Sequence, residues 1–505
     1  MSIIEQKWRL NGLMHYIEYP VVAVWIVLYY LLQMNNYYNS GNIDMFSFEQ
    51  AIYNIATGNN MFLRSNALIF FADHSLYIGT FLGTHFAPIL YVIAFIYKFT
   101  NIPLPNLLNL VEAIAVGSAA IPIYWFSEEQ LGGRLREMTP AIMISYLLSP
   151  LIILDVSQFH IEDLLIPFLT FALYYGFYRN WKMFAVFSFL AMISFEYSTI
   201  LLASIVLFLF LLKVIKKYVA IALFSFFVFS YFLIEYIIEI MPRYFVSAVN
   251  IYSVVTLNSP SMIIHNLLFD RGLLFSNLSF QLINKILYVF LLEMPVAAVN
   301  IFTPQSLVML FPWLSEMFFS GYIGYISLFN QYISFTAFAI YLPSVLSIKK
   351  IAFNKKVVGM VIIAVSIVSF FNVFYYPFIQ SSNPMMISEE NYLHNFSMNH
   401  SNAFIAVPTE YSSYMFTSNV YVFNNLPSVF AVSPYYSNIN ETNYNTQYNI
   451  IMDKIRFQYI IIPVNTSNSY SEAYLQFMQP YLANYTLIYS INGTNGIQIW
   501  QLKNQ

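Results

Sequence analysis

The stretch 218-YVAIALFSFFVFSYFLIEYIIEI-240 has 23 residues, and its only charged side chains are Glu235 and Glu239 near one end. A helix of about 20 mainly apolar residues spans the hydrocarbon core of a bilayer. Ten further apolar runs lie near 20–36, 106–126, 139–156, 162–178, 181–195, 199–213, 283–299, 302–317, 333–348 and 356–375. The chain is therefore predicted to be an α-helical polytopic membrane protein with eleven transmembrane helices.

Composition supports the same class and excludes several others. Of the 505 residues, 59% are hydrophobic and only 9% are charged, whereas soluble proteins carry about 25% charged residues. The net charge of −3 offers no electrostatic basis for binding nucleic acid. Cysteine is absent, which excludes disulfides, thiolate metal sites and cysteine nucleophiles.

Basic residues in the short loops predict the orientation. Thirteen of the 21 Lys and Arg side chains fall in loops that share one side: Lys7, Arg9, Arg134, Arg136, Arg179, Lys182, Lys213, Lys216, Lys217, Lys349, Lys350, Lys355 and Lys356. By the positive-inside rule, this places the N-terminus in the cytoplasm and the tail outside. Residues 86–99 are too few to span the membrane. A crossing there would also move every later loop to the opposite side of the membrane. They are predicted to form a half-helix that dips in and returns at 100–105.

The composition changes near residue 376 and predicts two domains. Residues 1–375 form the membrane domain, and 376–505, rich in Asn, Ser and Tyr, form a small extracytoplasmic α/β domain. Strand patterns occupy 403–407, 419–423, 428–432, 457–464 and 497–501, with a helix at 471–481. Glycosylation sequons occur at Asn277, Asn395, Asn399, Asn440, Asn465, Asn484 and Asn492.

The first outer loop, residues 37–105, contains an amphipathic segment at 44–57. Phe48, Ala51, Ile52 and Ile55 share one face, and Gly58 is a helix stop. This pattern predicts a helix lying along the outer membrane surface. Asp44 occupies an N-cap position, so a capping role and a catalytic role both remain open for it.

Acidic and histidine side chains without basic neighbours fall at the predicted outer ends of the helices. They are Asp44, Glu49, Asp73, His74, His85, Glu112, Asp155, His160, Glu162, Asp163, Glu196 and Glu239. A charge at the membrane edge is costly unless it pairs, faces a cavity or serves a site. The set therefore indicates a polar site at the outer face. The alternative is that outer loops simply carry solvated acids.

The order of these motifs resembles a known family. A surface helix with the pattern Asp-x-x-x-Phe-Glu-Gln-Ala-x-Tyr-Asn precedes His85-Phe86-Ala87-Pro88, and Phe159-His160-Ile161-Glu162 and Phe195-Glu196-Tyr197-Ser198 follow. Over roughly residues 20–350 the chain resembles domain-of-unknown-function family 2079, which in turn resembles the GT-C glycosyltransferase superfamily. Two positions depart from the pattern of such families. Phe195-Glu196-Tyr197 stands where Lys-Glu-Asp is frequent, and Gln331-Tyr332 stands where His-Tyr is expected.

The resemblance to GT-C enzymes implies a function. Such enzymes transfer a sugar from a polyprenyl-phosphate carrier to a glycan, lipid or protein acceptor at the outer face, typically with inversion. Their general base lies in the first outer loop, where Asp44 matches. The resemblance further implies that Glu49 supports the base or binds the acceptor. Substrate contacts are expected from His85, His160, Glu162, Asp163, Glu196 and Tyr332, and weaker phosphate contacts from Arg64, Arg243 and Arg271.

The sequence also leaves open a metal ion and other functions. A divalent metal ion is a further expectation, although no ligand spacing identifies one. The main alternative function is a non-catalytic membrane protein of GT-C-like fold that binds lipid or glycan in cell-envelope assembly. A transporter is disfavoured because the sequence lacks paired repeats with charges near the middle of the membrane.

Overall fold

The computed structural model describes residues 18–37, 43–59, 63–72, 75–80, 82, 85–100, 102–156, 159–240, 268, 271–319, 331–351, 355–379, 384–412, 414–423, 451–452, 454–464, 469–491 and 496–503. The helices before the tail are α1 (Glu18–Tyr37), α2 (Ile43–Ala56), α3 (Ile89–Phe99), α4 (Leu104–Ser118), α5 (Ala120–Gln130), α6 (Thr139–Leu147), α7 (Pro150–Asp155), α8 (Leu165–Phe177), α9 (Trp181–Met192), α10 (Ser198–Leu211), α11 (Lys217–Ile240), α12 (Arg271–Ser279), α13 (Leu282–Glu293), α14 (Leu307–Phe319), α15 (Ala337–Lys350) and α16 (Lys355–Ile379). Each of the eleven predicted apolar runs thus contains helix.

Three helical segments in the described part are long and apolar enough to cross a membrane, namely Leu104–Gln130, Leu135–Asp155 and Lys217–Ile238. Shorter apolar helices are Ile89–Phe99, Trp181–Met192, Ser198–Leu211 and Val357–Val368. The α11 helix exposes a row of large apolar side chains that includes Phe226, Phe229 and Phe232. Such a surface suits contact with lipid.

The bundle is built around α15, which is buried along nearly its whole length. Tyr341 of α15 packs edge-on against Tyr146 of α6, with ring centroids 5.1 Å apart. Tyr146 also donates a hydrogen bond to the Val116 carbonyl of α4, 2.7 Å away. The apolar faces of these helices therefore meet in one interior, in which buried tyrosine hydroxyls find carbonyl partners.

A close approach of α1 and α4 depends on Gly117. A Cβ atom at this position would lie 2.6 Å from Cγ1 of Ile26 in α1. Only glycine leaves room for this contact, because interiors are packed at crystal-like density. Gly117 thus sets the spacing between the first helix and the rest of the bundle.

Helix α2 was predicted to lie along the outer membrane surface; the structure buries all of residues 45–54 and ends the helix where the sequence indicates. Gly58 has a φ of +75°, and its N–H donates to the Ile55 carbonyl, while the Asn59 N–H donates to the Asn54 carbonyl. This pair of bonds is the Schellman motif, which favours glycine in the left-handed position. After it come strands β1 (Arg64–Ala72) and β2 (Ser75–Thr80), an antiparallel hairpin that the sequence analysis missed.

The tail contains helix α17 (Pro384–Asn399) and a five-stranded sheet. Its elements are β3 (Ile405–Pro408), α18 (Thr409–Ser412), β4 (Val420–Phe423), β5 (Tyr459–Pro463), α19 (Ser469–Met478), β6 (Tyr485–Ser490) and β7 (Ile497–Leu502). The strand order is β4-β3-β5-β7-β6, with β3 parallel to β4 and β5, and β7 antiparallel to β5 and β6.

Four of the five predicted strand segments hold a strand, and 428–432 lies outside the described residues. Strand β6 was not predicted. Most of its side chains are exposed, so its sequence does not alternate between apolar and polar residues as a half-buried strand does. The α16 helix continues to Ile379, beyond the expected domain boundary at 375.

The tail packs on the first outer loop. The Tyr414 hydroxyl donates to the Tyr37 carbonyl at 3.1 Å, and the Gln50 amide reaches the β4 region. These contacts are direct, so the tail lies against α2 and the end of α1.

Candidate functional site

A buried turn before α8 carries three of the predicted site residues. His160 precedes a 3₁₀ turn at Ile161–Leu164, and His160, Glu162 and Asp163 are at most 7% exposed. The turn is held by Glu112 of α4, whose Oε1 accepts a hydrogen bond from the His160 backbone N–H at 3.3 Å. The other oxygen of Glu112 accepts from the amide of Gln33 in α1. Glu112 thus joins α1, α4 and the turn.

Carboxyl groups from three segments meet behind this turn. The Asp163 carboxyl approaches those of Glu112 and Asp155, as well as the Ser334 hydroxyl. Neither oxygen of Asp155 or Asp163 has a hydrogen-bond partner of regular geometry among the described residues. Neighbouring carboxylates repel one another unless a proton, a cation or the donor groups of a ligand lie between them. The cluster is therefore a buried set of acceptors that requires donors.

A histidine–carboxylate pair forms the second part of the site. His85 Nδ1 lies 2.8 Å from Glu196 Oε1, and the Phe86 backbone N–H donates to Glu196 Oε2 at 2.9 Å. The His85 ring also stacks on Phe195, with centroids 4.9 Å apart. The His85 side chain is 37% exposed, whereas that of Glu196 is 14% exposed. A reachable imidazole held by a shielded carboxylate is an arrangement suited to proton transfer and hydrogen bonding.

Two observations join these parts into one site. The Glu162 carboxyl is close enough to His85 and His160 to interact electrostatically with both. An aromatic wall made of Tyr197, Trp313, Tyr332 and Phe335 continues from the His85 pair, since Phe335 packs against Phe195 at 5.6 Å. Tyr332 stacks on Trp313, with ring centroids 4.9 Å apart.

Helix α2 lies against this site. Phe48 packs edge-on against Phe159, the residue before His160, with ring centroids 5.3 Å apart. The helix begins at Ile43, one residue before the predicted N-cap, so Asp44 lies inside the first helical turn. The Asp44 side chain is outside the described residues. The site therefore adjoins the helix that carries the proposed base.

Glu49 is a buried acid in the middle of α2. Its side chain is fully buried, and neither carboxyl oxygen has a hydrogen-bond partner among the described residues. Burial therefore raises the pKa of Glu49 well above its ordinary value. Its charge interacts with Tyr97 of α3, which places Glu49 between α2 and the short helix.

The structure leaves several candidates untested, and it describes others away from the site. Arg64 opens β1 and Arg271 opens α12, but both side chains lie outside the described residues, as do Arg243, Asp73 and His74.

Among the sequons, Asn395, Asn399 and Asn484 are exposed, whereas Asn277 is fully buried and does not present its amide to solvent. Asn440, Asn465 and Asn492 lie outside the described residues. Within the described ranges, no three His, Asp or Glu side chains are arranged to hold a metal ion.

Gln33 and Ser334 are site residues that the sequence analysis missed. Gln33 is a buried polar residue near the end of the first apolar run, and an amide at such a position is a usable signal. Ser334 carried no signal, because serines are common throughout the chain.

The comparisons give a family rather than an activity. No curated protein is significantly similar to the chain. The model of a family described as "Predicted membrane protein (DUF2079)" matches residues 28–493, which include every residue of the site. That match, together with the apolar helices, shows that the chain belongs to domain-of-unknown-function family 2079, a family of membrane proteins.

Proposed function

We propose that the protein is a GT-C-type glycosyltransferase that moves a sugar from a polyprenyl-phosphate donor to a glycan, lipid or protein acceptor. One observation carries the proposal. Carboxyl and imidazole groups from turns far apart in the sequence converge beside α2, the helix whose first turn carries Asp44. A polar cluster of this kind, at one end of a membrane bundle, is costly unless a substrate uses it.

The contact between the tail and α2 supports the proposed topology. Because the two are on the same side, an even number of crossings separates them. Ten of the eleven predicted transmembrane helices follow α2, whereas a crossing by Ile89–Phe99 would make the number odd. The parity therefore supports eleven transmembrane helices, with a short helix α3 that does not cross. With the loop charges, it supports a cytoplasmic N-terminus and an extracytoplasmic tail domain in the cell membrane.

In the proposed reaction, an acceptor hydroxyl oxygen attacks the anomeric carbon of the sugar. The bond from that carbon to the phosphate oxygen breaks, and its electron pair stays on the departing phosphate. Asp44 takes the acceptor proton as general base, and the configuration inverts. In its doubly protonated form, His85 is held by Glu196 through Nδ1 and donates a hydrogen bond from Nε2 to the donor's phosphate or sugar, where negative charge develops.

The buried acceptors have a matching role. The oxygens of Asp155 and Asp163 that lack regular hydrogen bonds would accept hydrogen bonds from sugar hydroxyls. The aromatic wall beside His85 would pack against the apolar faces of the sugar. A divalent metal ion remains an expectation, and loss of transfer in EDTA with recovery on adding Mg²⁺ or Mn²⁺ would support it.

The test compares Asp44→Asn with the wild type in membranes supplied with radiolabelled polyprenyl-phosphate sugars. We expect transfer into lipid or protein by the wild type and a loss of at least about 100-fold in the variant, because general base catalysis contributes about 10²–10⁴-fold. Glu137→Gln, at an exposed loop position, is the matched control and should retain transfer. Equal rates in Asp44→Asn and wild type would remove Asp44 as the base. No transfer from any donor would favour a non-catalytic lipid- or glycan-binding protein.

A further inference from the structure

The polar face of α2 is held by the tail through Gln50. Gln50 is fully buried, and its Nε2 donates to the Thr417 carbonyl at 2.7 Å and to the Val420 carbonyl at 3.1 Å. Its Oε1 accepts from the Ser65 hydroxyl at 3.2 Å. One side chain thus links α2, the hairpin strand β1 and the loop into β4.

A second set of contacts lies one turn further along α2. The Ser418 hydroxyl donates to Asn54 Oδ1 at 2.6 Å and accepts from Asn59 Nδ2 at 2.7 Å. Beside it, Tyr53 packs edge-on against Phe416, with ring centroids 5.9 Å apart. Residues 416–420 therefore follow α2 over about one turn, and reach the segment after it, with both polar and apolar contacts.

A third contact lies on the other side of Asp44. The Tyr414 ring packs edge-on against that of Tyr37 at 5.5 Å, and its hydroxyl donates to the Tyr37 carbonyl. Tyr37 is the last residue of α1. The segment that carries Asp44 is consequently bounded by tail contacts at Tyr37 and at Gln50.

We infer that residues 414–420 of the tail form a fixed roof that positions the Asp44 segment over the site, with Gln50 as the main positioning residue. The buried amide supports a fixed contact, because opening the roof would take both carbonyl acceptors away from the Gln50 Nε2 group. The tail thereby acts on the site through α2 and does not itself touch the reacting atoms. The effect on transfer rests on the proposed function, whereas the docking itself does not.

Hydrogen–deuterium exchange tests the docking without any activity. We expect Gln50→Ala to accelerate exchange across residues 43–56 and 414–423, with exchange in α15 unchanged. If exchange in Gln50→Ala equals that of the wild type at both segments, residues 414–420 do not hold α2 through Gln50. That conclusion holds whether or not the protein proves to be an enzyme. Glu137→Gln again serves as the control.

Cross-linking separates positioning from misfolding. The chain has no cysteine, and Ser418 Oγ lies 2.6 Å from Asn54 Oδ1, so Asn54→Cys with Ser418→Cys gives two thiols that mild oxidation can join in a disulfide cross-link. We expect Gln50→Ala to lower kcat for sugar transfer on the order of 10–100-fold, with little change in KM for the donor. In the triple variant, the cross-link should restore most of this loss. Failure of the two thiols to cross-link, or a cross-link that forms without restoring kcat, would contradict the inference.

Discussion

Glu49→Gln should change how stability depends on pH. The Glu49 carboxyl is fully buried in α2 and accepts no hydrogen bond from the described residues. Burial disfavours the charged form, so the folded protein holds the Glu49 proton to a pH well above its ordinary value. The unfolded chain loses the same proton near pH 4.5. Between these two pH values the folded state binds one more proton than the unfolded state.

The sign and the magnitude follow from proton linkage. Stability is highest below the unfolded pKa and falls as the pH rises towards the folded pKa, at about 1.4 kcal/mol per pH unit. Glutamine has nearly the same shape and no charge, so Glu49→Gln should remove this slope. The free-energy advantage of the variant over the wild type should therefore grow by about 1.4 kcal/mol for each pH unit above 4.5, until the folded pKa is reached.

Thermal unfolding of the purified protein in detergent, measured from pH 5 to pH 8, tests this. The difference in Tm between Glu49→Gln and the wild type should widen steadily with pH. Glu137→Gln, whose side chain is exposed, should follow the wild type at every pH. Parallel curves for Glu49→Gln and the wild type would show that Glu49 has a partner that keeps it charged, and would refute the reasoning.

Three further substitutions probe the packing and the site. Gly117→Ala should lower stability by about 1–3 kcal/mol, because its Cβ would collide with Ile26, whereas Gly132→Ala, with no atom within 4 Å, should leave Tm unchanged. Gly58→Ala should cost about 1–2 kcal/mol because of its positive φ, seen as faster hydrogen exchange in the last turn of α2. Glu196→Gln should reduce sugar transfer by about 10–100-fold without loss of expression, since it weakens the hold on the imidazole; unchanged transfer would show that this pair is structural.

Much of the helical architecture was predictable, because apolar runs in a bilayer have few alternatives to helix. The Gly58 stop was predictable for a local reason, since the left-handed position that ends α2 favours glycine. The β1–β2 hairpin was not predicted, because in so apolar a loop the strand signal cannot be told from that of a buried helix.

The candidate site was predictable in location but not in its pairings. Loop charges placed His85, Glu162 and Glu196 on one side of the membrane, and the structure brings them together. Nothing in the sequence indicated that Glu196 would hold His85, 111 positions away. Nor did it indicate that Gln50 would reach the tail.

The sequence by itself determined the membrane class, the family and the positions of the helices, because these depend on apolar period, run length and motif order along the chain. The tertiary structure alone decided which polar groups became partners and which remained without them. It buried Glu49, joined Glu112 to the 160–163 turn and set the tail over α2. Such contacts depend on how helices pack in three dimensions, and a sequence pattern describes only which face of one helix a residue occupies.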